Sequence, residues 1–506
     1  MNTEEKLHSE HEKLSRKQLL QLGLLFLAFC ALLCFFSPNV RGSDQYWYVG
    51  DVERVVLQDG LFKSNSVFPE SLPADINDLP RPWVQNKPAT YLVLPFALIT
   101  KSGHIAWLIF NAICLYAAAF FTGRVLRIAN NKMLLFIAVF VFFPVNFYLA
   151  SQALPEIFVL ALVAAIHYLL LSGKISYPKI ILLGVIVAFL TCQRSNYMLL
   201  LLIVPMIFYV ISKKHVLQFI AVFILVTIAT STMNVLFGQH LLKTPSVIST
   251  IVNNVQGKSN MGNFFGNFDN PNAGISDLLP VLFQKFSGAM AEQFHLGGLP
   301  SVMFYLINIM LLCIPVLFFQ KKLFTRIHLV CLAFLAVHFI TIVLFYNQYR
   351  YAAAIVPSLF IMNVTLFRNL KIRFFQQSKF RYGVLAFAML MSIGIGLQLR
   401  KQSFADRELV TEIKDTIREH HSDAVMCSWN NGSGLAVGYA ASPKNTFYFI
   451  PQMPLSDWIA AARKIGANGA FLNPESELYK KLKPFAGKET ALKNSNMVFL
   501  EIALRD

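Results

Sequence analysis

Residues 19–37 read LLQLGLLFLAFCALLCFFS, and after Pro38–Gly42 the chain continues Ser43-Asp44-Gln45-Tyr46-Trp47-Tyr48-Val49-Gly50-Asp51-Val52-Glu53-Arg54-Val55-Val56-Leu57-Gln58-Asp59-Gly60. The first stretch carries no charge and has the roughly 20-residue length needed to cross a hydrocarbon core about 30 Å thick. It is preceded by a polar segment, 1–18, ending near Arg16 and Lys17, and no small-residue cleavage site follows it. It therefore reads as a retained signal anchor. The second stretch begins on a helix-capping residue and ends on a helix-stopping glycine. Asp44, Tyr48 and Asp51 stand at i, i+4 and i+7, so a helix would present two carboxylates and a phenol together. A membrane crossing followed at once by acids is the pattern from which the rest of the chain is read.

The composition extends that reading. Of 506 residues, 56% are hydrophobic and only 14% are charged, and the mean hydropathy is +0.53. A soluble protein has about 25% charged residues, so this is a polytopic membrane chain. Candidate spans lie at 19–37, 105–123, 133–150, 156–172, 180–193, 197–212, 216–236, 301–320, 327–346, 352–367 and 382–399, about eleven in all. With the N-terminus in the cytoplasm, alternate gaps carry Arg124, Arg127 and Lys132, then Lys213 and Lys214, then Arg368, Lys371 and Arg373, whereas the opposite gap 150–155 has no Lys or Arg. This positive-inside pattern accounts for most of the net charge of +17 without nucleic acid as a partner. The six apolar-run cysteines and Cys427 show no disulfide or zinc spacing.

The expected architecture is an all-α membrane bundle over 19–399, with external loops at 38–104 and 237–300, and a small external α/β domain over 400–506. In that tail Ala424–Trp429, Thr446–Ile450, Gly469–Leu472 and Met497–Ile502 read as strands, and Ala405–His420, Ser456–Ile465 and Ser476–Leu482 as helices. Residues 253–270, rich in Asn and Gly, read as a loop, and 278–294 as an interfacial amphipathic helix.

The same first loop closes on Pro82-Trp83-Val84-Gln85-Asn86-Lys87-Pro88-Ala89-Thr90-Tyr91, before a run at 91–100 too short to span. Each candidate has a plain alternative. Asp44 suits the first turn of a helix for its dipole alone. Lys87 suits a snorkelling position. Arg194 and Arg350, at external span ends, suit topological anchoring, and Glu156 suits a helix start. His167 and His338, inside spans, suit hydrogen bonds between neighbouring helices.

These two patches resemble a family. Polyprenol-phosphate-dependent glycosyltransferases of the GT-C fold, among them aminoarabinose transferases of lipid A and protein O-mannosyltransferases, have Asp-Glu-x-x-Tyr after the first span and Lys-Pro-Pro-Leu-Tyr before an interfacial helix. Asp44, Tyr48 and Gly60 match the first motif; Asn86, Lys87, Pro88 and Tyr91 match the second. Gln45 stands where the family has its second acid and Ala89 where it has its second proline. The first departure weakens the case for a metal or a paired-acid mechanism; no cofactor is called for, and a divalent metal stays open. The length and external tail are also similar to bacteriophage-type serotype-converting O-antigen glucosyltransferases.

The resemblance implies an inverting transferase in the bacterial inner membrane, with its C-terminal domain in the periplasm. It would move a sugar, glucose by the narrower likeness, from undecaprenyl phosphate to lipopolysaccharide O-antigen. Asp44 would be the general base. Lys87, with Arg350 and Arg194, would stabilise the departing phosphate. Tyr48, Asp51, Glu53, Asn86, Tyr91 and Glu156 would contact substrate, and Asp51 or Glu53 could supply a second carboxylate. A flippase and a polyprenol-phosphate glucosyltransferase would be partners. The competing classes are a lipid A aminoarabinose transferase and a lipid or polysaccharide transporter. A transporter would carry several intramembrane charges and internal repeats; the spans hold little charge and no repeat is found.

Overall fold

The computed structural model describes residues 15–54, 88–172, 176–193, 216–236, 298–319, 325–344, 353–370, 377–422, 425–428, 432–441, 446–449 and 466–502, with a few isolated positions besides. The 253–270 loop, the 278–294 helix, the 197–212 span and most of the Ser456–Ile465 helix lie outside the described residues.

Helix α1, Arg16–Phe36, opens with a capping box in which Ser15 and Gln18 satisfy each other's backbone N–H. Leu19, Leu20, Leu24 and Leu27 are exposed on it while Phe29, Leu33 and Phe36 are buried, as expected of a helix with one side to lipid and one to the bundle. After Pro38–Gly42 comes α2, Ser43–Arg54. The next helices are α3, Pro88–Thr100, and α4, Gly103–Val125. Helix α4 is the bundle's inner post: Trp107, Leu108, Asn111 and Leu115 are buried on it, and it packs on α1 and α3 and on α7, Glu156–Leu171. Only Tyr168 and Leu171 escape full burial on α7, consistent with a helix that is apolar all round.

Residues expected to form one span at 133–150 form two helices, α5 Asn130–Val141 and α6 Pro144–Ala150, bent by 68°. Pro144 removes an N–H and forces the bend. A broken ladder inside a membrane must be re-satisfied by side chains. Here Asn146 Nδ2 donates to Phe140 O at 2.8 Å and Ser392 Oγ donates to Phe142 O at 2.8 Å. The bundle continues with α8, Tyr177–Gln193, α9, Val216–Leu236, α10, Gly298–Leu311, α11, Cys313–Phe319, α12, Arg326–Leu344, and α13, Val356–Asn369. The expected 301–320 span is thus also interrupted, at Leu312. Across α7, α12 and α13, His167 settles into structure. Its Nδ1 faces Val163 O at 2.8 Å, its Nε2 faces Ser358 Oγ at 3.1 Å, and its ring lies 4.4 Å from Phe334. The carbonyl only accepts, so Nδ1 carries the proton and the serine hydroxyl donates to Nε2. Among the described residues α1, α4 and α14 are long and apolar enough to cross, α5 with α6 adds a fourth, and shorter apolar helices make up the rest.

Helix α14, Ser378–Glu419, corrects the expected boundary at residue 400. The span at 382–399 and the tail helix at Ala405–His420 are one uninterrupted element. At 1.5 Å per residue it is about 63 Å long, twice the hydrocarbon thickness. Its outward residues mark the membrane edge: Phe387, Leu390, Ile393 and Leu397 are exposed and apolar, and charges begin at Arg400. Beyond it a five-stranded sheet has the order β2-β1-β3-β5-β4. β1 (Val425–Ser428), β2 (Thr446–Phe449) and β3 (Gly469–Leu472) are parallel, while β4 (Ala486–Ala491) and β5 (Val498–Ile502) run antiparallel. Helix α15, Gly432–Ala440, joins β1 to β2, and α16 is Glu477–Leu482. α15 and β4 were not anticipated: β4 has little apolar alternation and is mostly exposed. Glu412 fastens the sheet to α14 by accepting the backbone N–H groups of Lys493 (2.5 Å) and Asn494 (3.0 Å). His420 adds contacts to Glu501 and Thr490.

Close packing of α14 on α1 depends on Gly396, where a Cβ would sit 2.5 Å from the buried Phe36 ring, whereas Gly394 has nothing within 4 Å. Gly396→Ala is expected to lower the melting temperature of the detergent-purified protein, at a cost of about 1–3 kcal/mol. Gly394→Ala should leave it unchanged or raise it. Equal melting temperatures for the two variants would contradict this packing.

Candidate functional site

Helix α2 lies where the bundle meets the tail domain, and each of its ends is tied down. Before its first turn, Gly42 adopts φ +69°, a left-handed conformation suited to glycine, and its N–H donates to Asp406 Oδ2 at 3.2 Å. Arg41, only 4% exposed, donates through Nη2 to Ser151 O at 2.6 Å and to Ser151 Oγ at 3.3 Å. Gln45 Oε1 accepts the N–H of Ala153 at 3.0 Å. The 151–155 link before α7 is buried, so its backbone groups need protein partners. Asn111 Nδ2 supplies another at Gln152 O, 2.6 Å away. Position 45, where the motif would have a second acid, is thus a buried structural amide.

At the other end, Glu53 Oε1 accepts the N–H of Gly103 at 3.1 Å and Oε2 accepts the hydroxyl of Tyr439 at 3.2 Å. Gly103 is the first residue of α4, whose N–H has no partner within its own helix; the carboxylate fills that role and meets the positive end of the helix dipole. The approach needs glycine: a Cβ at 103 would lie 2.7 Å from Glu53 Cγ and 2.9 Å from Val49 O. Tyr46 packs on Tyr439 with ring centroids 5.2 Å apart, and its buried hydroxyl has no hydrogen-bond partner among the described residues. Burial pushes the Glu53 and Asp406 carboxyls above their ordinary range. The bond from Gly103 opposes this at Glu53, and the bond from Gly42 and the charge of Arg41 oppose it at Asp406. Burial, with the nearby Asp406, also raises the Tyr46 phenol.

Asp44 stands in the first turn of α2 and Asp51 in its third; their side chains lie outside those described. Tyr48 is 2% exposed, with its ring edge-on to Trp107 at 5.6 Å and its carbonyl accepting Trp107 Nε1 at 3.1 Å. It packs in the core rather than offering an open face to a sugar. Glu53 likewise has protein donors on both oxygens. Tyr91 is half-buried in the first turn of α3, and Glu156 is the buried first residue of α7, a position its helix dipole favours. Asn86, Lys87, Arg194 and Arg350 lie outside the described residues. The described ends beside two of them do meet: the N–H of Ala89 donates to Gln193 Oε1 at 2.9 Å, joining the start of α3 to the end of α8. No cluster of three or more His, Cys, Asp or Glu suited to a metal occurs among the described residues.

Sequence reasoning missed Arg41, Asp406, Gly103 and Tyr439. Arg41 alone had a signal, being a cation on the external side where the positive-inside pattern puts few. The other three are brought in by tertiary packing.

No protein-family model and no curated protein matches the chain. Its fold is similar to crystal structures of ArnT from Cupriavidus metallidurans. The apo structure gives a TM-score of 0.54 at 9% identity, and one bound to undecaprenyl phosphate gives 0.52 at 10%; each covers 94% of this chain and 97% of that one. An Archaeoglobus fulgidus oligosaccharyltransferase complex with zinc and sulfate gives 0.48 at 11% identity, covering 94% of this chain and 73% of that one. At such identities the ArnT likeness shows the fold, which is GT-C, and the chain is a multi-pass membrane protein.

The raised Asp406 carboxyl gives a pH test. A carboxyl raised on folding contributes stability below its unfolded value that is lost as pH rises through the folded value. In Asp406→Asn, which keeps an acceptor for Gly42, that loss is absent. The melting temperature of the variant relative to the parent should therefore increase from pH 4 towards pH 7. A constant difference would show that burial does not penalise the charge.

Proposed function

We propose that the chain is an inverting glycosyltransferase of the bacterial inner membrane. It moves a sugar, glucose in the first instance, from undecaprenyl phosphate to a periplasmic glycan, the O-antigen of lipopolysaccharide. One observation carries the reading. The motif-bearing helix α2 follows directly on the first span and is tied to one end of a bundle whose fold, over 94% of the chain, is similar to that of a protein solved with undecaprenyl phosphate.

In this reading the acceptor hydroxyl attacks the anomeric carbon as the carbon–oxygen bond to the lipid phosphate breaks. The electron pair leaves with the phosphate as undecaprenyl phosphate, and the hydroxyl proton passes to the Asp44 carboxylate. Single displacement inverts the anomeric centre. Lys87, with Arg350 and Arg194, offsets the charge developing on the leaving phosphate. Asn86 and Tyr91, which match the second motif, Asp51, two turns on from Asp44, and Glu156, at the start of α7, are the remaining candidates for substrate contact. Tyr48 and Glu53 act through packing and hydrogen bonding. A polyprenol-phosphate glucosyltransferase would make the donor and a flippase would deliver it. The second reading, aminoarabinose transfer to lipid A, is favoured by the same motif resemblance and differs in donor and acceptor.

The test is incubation of membranes with labelled glucosyl- or aminoarabinosyl-undecaprenyl phosphate and lipopolysaccharide. Label should pass covalently to the acceptor, and the productive donor separates the two readings. Asp44→Asn should lower transfer at least about a hundredfold without loss of inserted protein, and Lys87→Ala should raise the donor KM. Undiminished transfer by Asp44→Asn would remove the proposed base. Movement of donor across the bilayer with no covalent transfer would identify a transporter instead.

A further inference from the structure

We infer that Tyr439, on the tail-domain helix α15, is a positioning residue that sets α2 for the transfer step by acting through Glu53. The tail domain is then part of the transfer machinery and not only a cover on the bundle. The inference rests on the reading of α2 given under Proposed function.

A single side chain grips α2 at two points. Tyr46 and Glu53 are seven residues apart, two helical turns, and so lie on one face. The ring of Tyr439 packs on Tyr46 at 5.2 Å while its hydroxyl donates to Glu53 Oε2 at 3.2 Å. The other oxygen of Glu53 is committed to Gly103 on α4, so one carboxylate joins the tail domain, α2 and the central post of the bundle. The hold at the opposite end of α2 is independent of the tail sheet: Arg41 and Gln45 bond to the 151–153 backbone, and Gly42 bonds to Asp406.

α15 is also a firm support. It packs on α14 as well as on α2 and β1, and the sheet is fastened to α14 through Glu412. Without the Tyr439 hydroxyl, Glu53 is held by Gly103 alone and the last turns of α2 are less firmly set, while its first turn keeps its ties at Gly42 and Gln45. A side chain reaches about 5–6 Å from the axis, so a roll of roughly 20° in those last turns would move a group carried there, such as one at position 51, by about 2 Å. A misplacement of about 1 Å can cost on the order of a hundredfold in rate. Glu53 is therefore better placed as a link than as a second reacting carboxylate.

The measurement is donor turnover by the full-length protein in membranes or nanodiscs, with kcat and donor KM resolved and melting temperature recorded alongside. Tyr439→Phe keeps the ring on Tyr46 and removes only the hydroxyl. It should lower kcat about tenfold while leaving donor KM within about twofold, the signature of an interaction felt in the chemical step and not in donor binding. Glu53→Gln should show the same split. The double variant should be no worse than the poorer single one, because both remove one link. Tyr439→Leu, which also loses the stacking, should fall further in kcat. If Tyr439→Phe turns over like the parent, or if its loss is shared by donor KM and follows a lowered melting temperature, the hydroxyl has no positioning role. If the parent transfers no sugar from any polyprenyl phosphate, the underlying reading of α2 fails and the inference falls with it.

Discussion

The turn at Pro38–Gly42 is the constraint on which the end of the bundle beside the tail domain depends. There the chain leaves the first span and must enter α2 within a few residues. It does so at the edge of a medium that cannot solvate backbone groups. The outer half of α14 supplies what water would. Arg400 donates to the carbonyl of Phe35 at 2.5 Å and stacks over its ring. Ser403 accepts from Asn39 N–H and donates to Asn39 O, both at 2.9 Å, and Asp406 accepts from Gly42. These contacts join residues about 364 positions apart. Without α14 continuing unbroken out of the membrane, the turn would expose four backbone groups and α2 would have no fixed starting point.

From that turn the arrangement propagates in two directions. Arg41 and Gln45 carry it to the buried 151–155 link and so to the start of α7. Glu53 carries it to the N-terminus of α4 and to Tyr439. The polar groups here are costly to bury, as the raised Glu53 and Asp406 carboxyls show, and their hydrogen bonds offset only part of that cost. Among the described residues the core buries other polar groups, Asn146, His167 and Ser358 among them, but the carboxyls of Glu53 and Asp406 stand at the rim where α2 is set. The kinked α5–α6 pair lies on the same chain segment, and Ser392 of α14 closes its open carbonyl. One long helix thus repairs two interruptions of backbone hydrogen bonding.

Much of this architecture was legible in the residue order. Apolar length predicted α1, α4 and α7 to within a few residues, and period-two and apolar runs predicted β1, β2, β3 and β5. The interruptions at Pro144 and Leu312 were not separated from their spans, because hydropathy averages across a bend. The break expected at residue 400 came from a change in composition; the helix continues because its propensity does not change when its surroundings pass from lipid to water. β4 was missed because an edge strand with little burial need not alternate. In the site, Asp44 and Asp51 were found as members of a helix, but periodicity could not tell that Tyr48 would be spent on Trp107.

The sequence by itself determined that the chain is a multi-pass membrane protein, where many of its described helices begin and end, and that a group of acids and aromatic residues follows directly on the first crossing. Those properties follow from local length, hydropathy and spacing. Only the tertiary structure decided that Gln45 is a buried acceptor, that Glu53 caps a distant helix, and that Asp406 and Tyr439 take part at all. Each of these depends on which backbone groups are left without partners when helices far apart in sequence close on one another, and no local pattern records that.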